Sequence, residues 1–466
     1  MKTLGIHVFR RDLRLEDNTA LNALAKTVDV VLPVFVFDPR QVGEHPYRGA
    51  HGLQILAESL EDLDGALREK GASLHVRTGV AEDVLEALIR ELKPTTVSFN
   101  KDYTPFSVAR DDAMRAVCER EGLAVIDTDD ATIQPPESVL TKEGKPYSVY
   151  TRYRIAVEML PVPNPKRLPA AVSFHESTGG IDLAAYLERL VPERAELRVT
   201  GGRTAAKDQL RRISSLSSYA AQRNFPSVSG TSLLSAHIKF GTLSIREIYL
   251  YAKTHMKDPT VFLREILWHD FFTAVAARAP HVFQGAYRPE YDRLEWSTDE
   301  KAFTRWKEGK TGFPIVDAGM RELLGSGYMH NRVRMITASF LIKDLHISWQ
   351  WGEKHFAQQL NDYDPAVNNG NWQWVAGTGC DAAPWFRIFN PWLQQEKFDK
   401  DAAYIKKWVP ELAGLSPAEI HNQKGEARLL AGYPAPMLDH REESQETKHR
   451  YGIAKQLQPE AREGYA

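Results

Sequence analysis

The chain has 466 residues, with 59 Lys and Arg against 61 Asp and Glu, a net charge of −2 with His neutral. That length suggests two or three domains, and the charge balance excludes a uniformly basic nucleic-acid coat while leaving room for a local basic face. Hydrophobic content of 43% and charged content of 26% fit a folded protein, and only two cysteines, Cys118 and Cys380, exclude a disulfide framework or a Cys-based zinc cluster and suit a reducing cytosol.

The opening residues show no long apolar stretch of the kind a signal peptide needs, and no 18-residue apolar run predicts a membrane span. Through residue 130, short apolar β-branched runs alternate with helical patterns. Strands are expected at Leu4–Phe9, Val30–Phe37, Ser73–Val76, Thr95–Phe99 and Ala124–Ile126. Helices are expected at Ala20–Lys26, His51–Lys70, Ala81–Leu92 and Val108–Arg120. This alternation predicts a parallel α/β sheet covered on both faces, with any ligand at the carboxyl ends of the strands. Strand 1 runs into Phe9-Arg10-Arg11-Asp12-Leu13-Arg14, so the Gly-x-Gly-x-x-Gly dinucleotide fingerprint is absent.

Residues 131–204 lack periodicity and carry Pro135-Pro136 and Pro161-Val162-Pro163-Asn164-Pro165, which reads as a long connector. From about 205 the patterns turn helical, as in Val261–Ala277, Ile315–Leu324 and Asn331–Leu345, and the last fifty residues look polar and peripheral. All ten tryptophans lie between Trp268 and Trp408. They make either a large aromatic core or a site that needs aromatic faces.

Several segments carry chemistry. Gly230-Thr231-Ser232-Leu233-Leu234-Ser235 reads as a helix cap or a phosphate cradle, with Arg223 upstream. Glu265 and Trp268 share a helix face between apolar flanks. Met329-His330-Asn331-Arg332-Val333-Arg334-Met335 holds an amide, two guanidiniums and two thioethers, and is either an amphipathic helix edge or a phosphate-contacting surface. Asp362-Tyr363-Asp364 precedes Asn368-Asn369-Gly370-Asn371-Trp372-Gln373-Trp374, and no His or Cys nearby completes a metal shell, so no metal is expected. Gly309-Lys310-Thr311 lacks the earlier glycine of a P-loop, since position 304 is Thr. No metalloprotease or hydrolase motif is present.

Together these segments resemble the class I cyclobutane pyrimidine dimer photolyases of the photolyase/cryptochrome family. The resemblance rests on Phe9–Asn18, on Gly312–Ala318 through Tyr328–Arg332, on Asn368–Trp374, and on Asp381-Ala382-Ala383-Pro384-Trp385-Phe386-Arg387-Ile388-Phe389-Asn390-Pro391. It implies an α/β antenna domain over 1–130, a connector over 131–204 and a helical FAD-binding catalytic domain over 205–466. Tyr219, Arg223, Thr231, Ser232, Leu233, Leu234 and Ser235 match the flavin phosphate and ribityl region. Asp362, Tyr363 and Asp364 match the acidic segment near the isoalloxazine and ribose, and Asn331 and Arg334 join the flavin set. Asn368 matches the residue facing flavin N5. Glu265, Trp268, Asn331, Met335 and Trp374 match the dimer-contacting set, with Arg332 and Arg334 as DNA-phosphate contacts beside Trp268 and Trp374. Trp296, Trp349 and Trp372 match the tryptophan chain that photoreduces the flavin.

The resemblance therefore implies light-driven repair of cyclobutane pyrimidine dimers in UV-damaged DNA, by a monomeric cytoplasmic enzyme using reduced FAD. A cryptochrome photosensor would carry Asp or Cys at 368, and a (6-4) photolyase would carry histidines at 331 and 335. For the antenna, the acid expected of folate-binding relatives is Ser107 here. Asp102 and Lys239 match contacts of deazaflavin-binding relatives, and Thr104 departs from them. An 8-hydroxy-deazaflavin is favoured, with a flavin or an empty pocket as alternatives.

Overall fold

The computed structural model describes residues 2–176 and 179–456. It divides into two compact units, one of Met1–Tyr219, Ser232–Arg278 and Asn361–Ala366, the other of Ala220–Thr231, Ala279–Leu360 and Val367–Ala466.

The first unit is built on a parallel sheet of β1 (Leu4–Phe9), β2 (Val30–Phe37), β3 (His75–Thr78), β4 (Thr96–Asn100), β5 (Ala124–Thr128) and β6 (Ser173–Phe174). The order is β3-β2-β1-β4-β5, with β6 also on β2. Strand alternation sorts the core. Phe9, Val31, Phe35 and Phe37 pack on one face with Leu53, Leu60, Leu67 and Phe240. Ile6, Val8, Leu32 and Val34 pack on the other with Leu85, Leu88, Met114 and Cys118. A proline inside a central strand forfeits a ladder hydrogen bond. Pro33 escapes this on the outer edge of β2 because it falls between two partners, β6 at Val30–Val31 and β3 at Val34–Phe37.

The stretch expected as a connector is built into this unit. It supplies the helix Tyr150–Glu158, β6 and the helix Leu183–Leu190, and Leu187 and Val191 enter the core. Expected β3 lies two residues early, because the polar pair Arg77–Thr78 is what pairs with Val36 and Phe37.

The loop after β1 is fixed by buried charge. Arg14 donates to Asp130 and to the carbonyl of Gly241 (2.9 Å). Arg246 donates to Asp130 (2.7 Å) and to Asp17 (3.1 Å), whose other oxygen accepts from the Lys166 backbone (2.8 Å). Gly241 has φ +62°, and a Cβ there would lie 2.0 Å from the Arg11 carbonyl oxygen, so no larger residue fits.

In the second unit the helix Pro314–Ser326 packs against Asn331–Lys343, Ala403–Trp408 and Pro391–Phe398. The C-terminal region, expected to be peripheral, is docked as far as it is described. Arg428, Tyr433, Thr447 and Tyr451 are buried, Thr447 Oγ1 donates to the Lys343 carbonyl (2.6 Å), and His346 pairs with Glu443 (2.7 Å). Both cysteines are buried, Cys118 in the first unit and Cys380 in the second, and burial pushes each thiol up to about 11. No helix among the described residues is long and apolar enough to cross a membrane.

Burial pushes the Asp130 carboxyl up, but Arg14 and Arg246 outweigh it and hold the group below its ordinary value. Its stabilising contribution is therefore complete at neutral pH and is lost as pH falls through the depressed folded value. Asp130→Asn leaves two buried guanidiniums short of a counter-charge and should cost about 3–5 kcal/mol. Denaturation of both proteins from neutral to acid pH checks this: the gap should narrow only below the usual carboxylate range.

Candidate functional site

The first unit supplies one group of the expected flavin residues. The chain turns through Leu233, which has φ +54°, into the short helix Ser235–Phe240. Leu234 occupies the cap position with no side-chain cap hydrogen bond, so the hydroxyls of this segment serve elsewhere. Ser235 Oγ donates to Asp362 Oδ2 (2.6 Å), and the Ser232 carbonyl accepts from Gln209 (2.6 Å). Asp364 accepts from the Ala366 backbone (3.0 Å) and from Arg11. Tyr363 stacks on Tyr47, and Tyr219 meets Phe262 edge to face with centroids 5.3 Å apart. The structure thus joins Ser235 to Asp362 directly.

The same unit places Glu265 and Trp268, both half-buried, on the long helix Thr260–Arg278. One face of Trp268 is already taken: Tyr150 stacks on it with centroids 3.7 Å apart and planes 10° from parallel, and the Tyr150 hydroxyl donates to the Arg264 carbonyl (2.5 Å). Sequence reasoning missed Tyr150, since it lies in the stretch read as connector.

A small cleft opens at the carboxyl ends of β1 and β4, the point where the strand order reverses, with Arg10, Arg11, Lys101, Asp12 and Asp102 among its walls. Asp102 accepts from Arg11 (3.0 Å) and from the Ser107 hydroxyl (2.9 Å). Burial pushes its carboxyl up, but Arg11 and Lys239 dominate and hold it well below the usual range. Lys239 is not one of the cleft's walls; its carbonyl accepts from Arg11 (3.2 Å). Burial and Arg11 pull the Lys239 ammonium down to about 8, against the opposing pull of Asp364 and Asp102. Arg11, unassigned in the sequence reading, is the hub that joins 102, 239 and 364.

The second unit carries the other group. Asn368 is buried on the helix Pro365–Ala376, and its Nδ2 donates to the Glu353 carbonyl (3.1 Å) and to Glu353 Oε1 (2.8 Å). Both protons of the amide are spent there, which fixes the flip and leaves Oδ1 as the acceptor it presents. Glu353 was invisible in sequence, being one of 61 acids in the chain and part of no motif. Trp372 and Trp349 are buried, and Trp296 is half-buried against Tyr291, Leu294 and Tyr451. Gly352 makes room for Trp372, since a Cβ there would lie 2.2 Å from the indole. Trp374, two residues on, sits in a different environment, half-buried with the Arg387 guanidinium 5.8 Å above its ring.

The helix Asn331–Lys343 exposes Asn331 and half-buries Arg332, Arg334 and Met335. Arg332 donates to Asn224 (2.6 Å) and lies 4.4 Å from the Phe398 ring centroid. Arg334 turns back to the Met329 carbonyl (2.7 Å). Arg223 and Thr231 are half-buried in this unit. No cluster of three or more metal-ligating side chains exists among the described residues.

A parallel α/β unit with charged groups at its switch point, and a helical unit holding an oriented amide and buried tryptophans, define a protein of α/β plus helical architecture. The comparisons with known proteins make this specific. The pattern described as DNA photolyase matches residues 5–170, and that described as FAD binding domain of DNA photolyase matches 262–452. The chain is 38% identical to the deoxyribodipyrimidine photo-lyase of Agrobacterium fabrum over 94% of this chain and 96% of that one. An archaeal photolyase from Sulfolobus tokodaii, solved with two FAD molecules, is similar at TM-score 0.89 and 40% identity, covering 97% of this chain and 100% of that one. A bacterial class III photolyase from Agrobacterium tumefaciens is similar at TM-score 0.91 and 36% identity, covering 98% of each. The chain belongs to the DNA photolyase/cryptochrome family.

Proposed function

We propose that this chain is a deoxyribodipyrimidine photo-lyase that repairs cyclobutane pyrimidine dimers in UV-damaged DNA under light, acting as an intracellular monomer. The observation that carries the reading is Asn368: a neutral amide, oriented by Glu353, stands where a photosensor of the family would carry Asp or Cys. Asn331 and Met335 likewise stand where a (6-4) enzyme would carry histidines. The class I assignment is part of this proposal, set against the class III alternative.

The donor set fits FAD. Asp362 and Asp364 accept from hydroxyl or ring N–H groups, Asn368 Oδ1 accepts from a flavin N–H, and Arg223 with Thr231, Ser232 and Ser235 suits a diphosphate. Tyr219, Leu233, Leu234, Tyr363, Asn331 and Arg334 complete the proposed binding set. Reduced FAD, when bound, supplies the photoexcited electron that opens the cyclobutane ring. The chain's own part is recognition and exclusion of water. Trp268 and Trp374 offer apolar faces to an unstacked, flipped dinucleotide, and Glu265 accepts from a base N–H. Arg332 is the proposed phosphate contact, with Arg334 beside it. In function, 1–130 would house the antenna and 205–466 the flavin and lesion, with 131–204 packed into the first unit rather than serving as a free connector.

Protein purified in the dark should release FAD and split thymine dimers in DNA only under near-UV or blue light. Equal repair in darkness, or no flavin after gentle purification, refutes the reading.

Trp372→Phe, Trp349→Phe and Trp296→Phe should each slow light-driven reduction of bound oxidised flavin, followed by absorbance. Chemically pre-reduced variants should still repair, because these residues feed electrons to the cofactor and not to the lesion.

For the antenna we propose an 8-hydroxy-deazaflavin, with Lys239 and Asp102 as contacts. A ligand oxyanion near Lys239 would favour its charged form, against the burial that now lowers it. The archaeal relative with two FAD molecules makes a second flavin the specific alternative. Reconstitution with each chromophore, read by absorption and energy transfer, decides between them. The parent should take up the deazaflavin, and Lys239→Ala should bind it less well.

A further inference from the structure

Asn331, Arg332, Arg334 and Met335 occupy the first turns of one helix, so the way that helix starts decides where they point. Its start is unusual. The N-cap is His330, which is 2% exposed, and its Nδ1 accepts from the Arg332 backbone N–H (3.1 Å). Its carbonyl accepts from the backbone N–H of Val333 (2.8 Å) and of Arg334 (3.0 Å). Preferred caps are Ser, Thr, Asp and Asn, whose oxygens accept in any protonation state met near neutral pH. An imidazole caps only with Nδ1 unprotonated, which puts the proton of the neutral ring on Nε2.

The residue is also held from behind. Its backbone N–H donates to Glu322 Oε2 (3.2 Å), and the same oxygen accepts from the Tyr404 hydroxyl (2.7 Å). Glu322 is fully buried. On the chain's other side, Arg334 Nε donates to the Met329 carbonyl (2.7 Å). The approach to the helix is therefore pinned through the backbone, and the side chain that sets the first turn is His330.

We infer that His330 is a positioning residue for dimer recognition, its neutral imidazole orienting Asn331 and Met335 by capping the Arg332 N–H. The inference rests on the repair reading above. It acts through helix geometry.

The chemistry of the side chains supplies the test. Asn carries Oδ1 one bond from Cγ, where His carries Nδ1, so His330→Asn keeps the cap. Gln places its amide one bond further out, so His330→Gln loses the cap while keeping polarity and bulk. The experiment uses chemically reduced holoenzyme and DNA with a single thymine dimer. It reads dimer affinity, repair per bound dimer under saturating light, flavin content and thermal midpoint. Compared at equal flavin occupancy, His330→Gln and His330→Ala should weaken dimer binding about 2–30-fold, the range that a lost cap corresponds to, with repair per bound dimer kept. His330→Asn should stay within about 2-fold of the parent. Equal affinities for Asn and Gln, or a lowered thermal midpoint with unchanged affinity, overturn the inference. If the Ala variant does not fold, the Asn–Gln pair still decides. A parent that neither binds nor splits the dimer overturns the repair reading itself, and this inference with it; a parent that repairs while Asn and Gln match overturns the cap alone.

Discussion

The first unit depends on one buried arrangement of charge, in which Asp130 and Asp17 hold the guanidiniums of Arg14 and Arg246. Charges removed from water are tolerated only when well hydrogen-bonded, and here Thr19, Ser244, the Gly241 carbonyl and the Lys166 backbone supply most of the partners, with Arg14 Nε left without one. The segment Arg10–Asn18 is in effect a series of such anchors. Arg10 reaches Asp111, Arg11 reaches Asp102 and Asp364, Asp12 accepts from Asn18 (2.9 Å) and Asn100 (2.6 Å), and Asn18 caps the helix Thr19–Leu24. A loop that would otherwise wander past the end of β1 is thereby made rigid, and both the cleft at the strand ends and the Asp364 carboxylate inherit their positions from it.

In the second unit the controlling constraint is steric and directional. Gly352 lets Trp372 close on the helix Trp349–Gln359, and the same helix supplies Glu353, which takes both protons of the Asn368 amide. One short stretch of helix thus fixes an indole and an amide four residues apart on the next helix. A side chain at 352 would displace both.

Much of the sheet was legible from sequence because its strands are continuous apolar runs, and β1 and β2 fall on their expected bounds. The failures share a cause. β6 is two residues long and exists only because β2 offers it an edge; no local pattern encodes that. The stretch 131–204 is punctuated by prolines, which hid Tyr153 and Val157 as core residues and Tyr150 as the partner of Trp268. The C-terminal region is polar on average, yet Tyr433 is buried on Asp317 and Arg428 lies over Trp392, contacts set by distant partners. At the site, motif resemblance points to the residues proposed to touch ligands. It missed Glu353, Arg11 and His330, which touch those residues instead, because single acids, arginines and histidines are common in any chain and only the partner distinguishes them.

The two thiols carry a practical consequence. Cys118 and Cys380 lie out of solvent, and burial raises both thiols, so little of either is thiolate at neutral pH, the form that reacts with electrophiles. The native chain is therefore close to silent toward maleimide and iodoacetamide. A single cysteine introduced on the surface would be the one handle for attaching a dye or spin label, with no need to remove the natural pair.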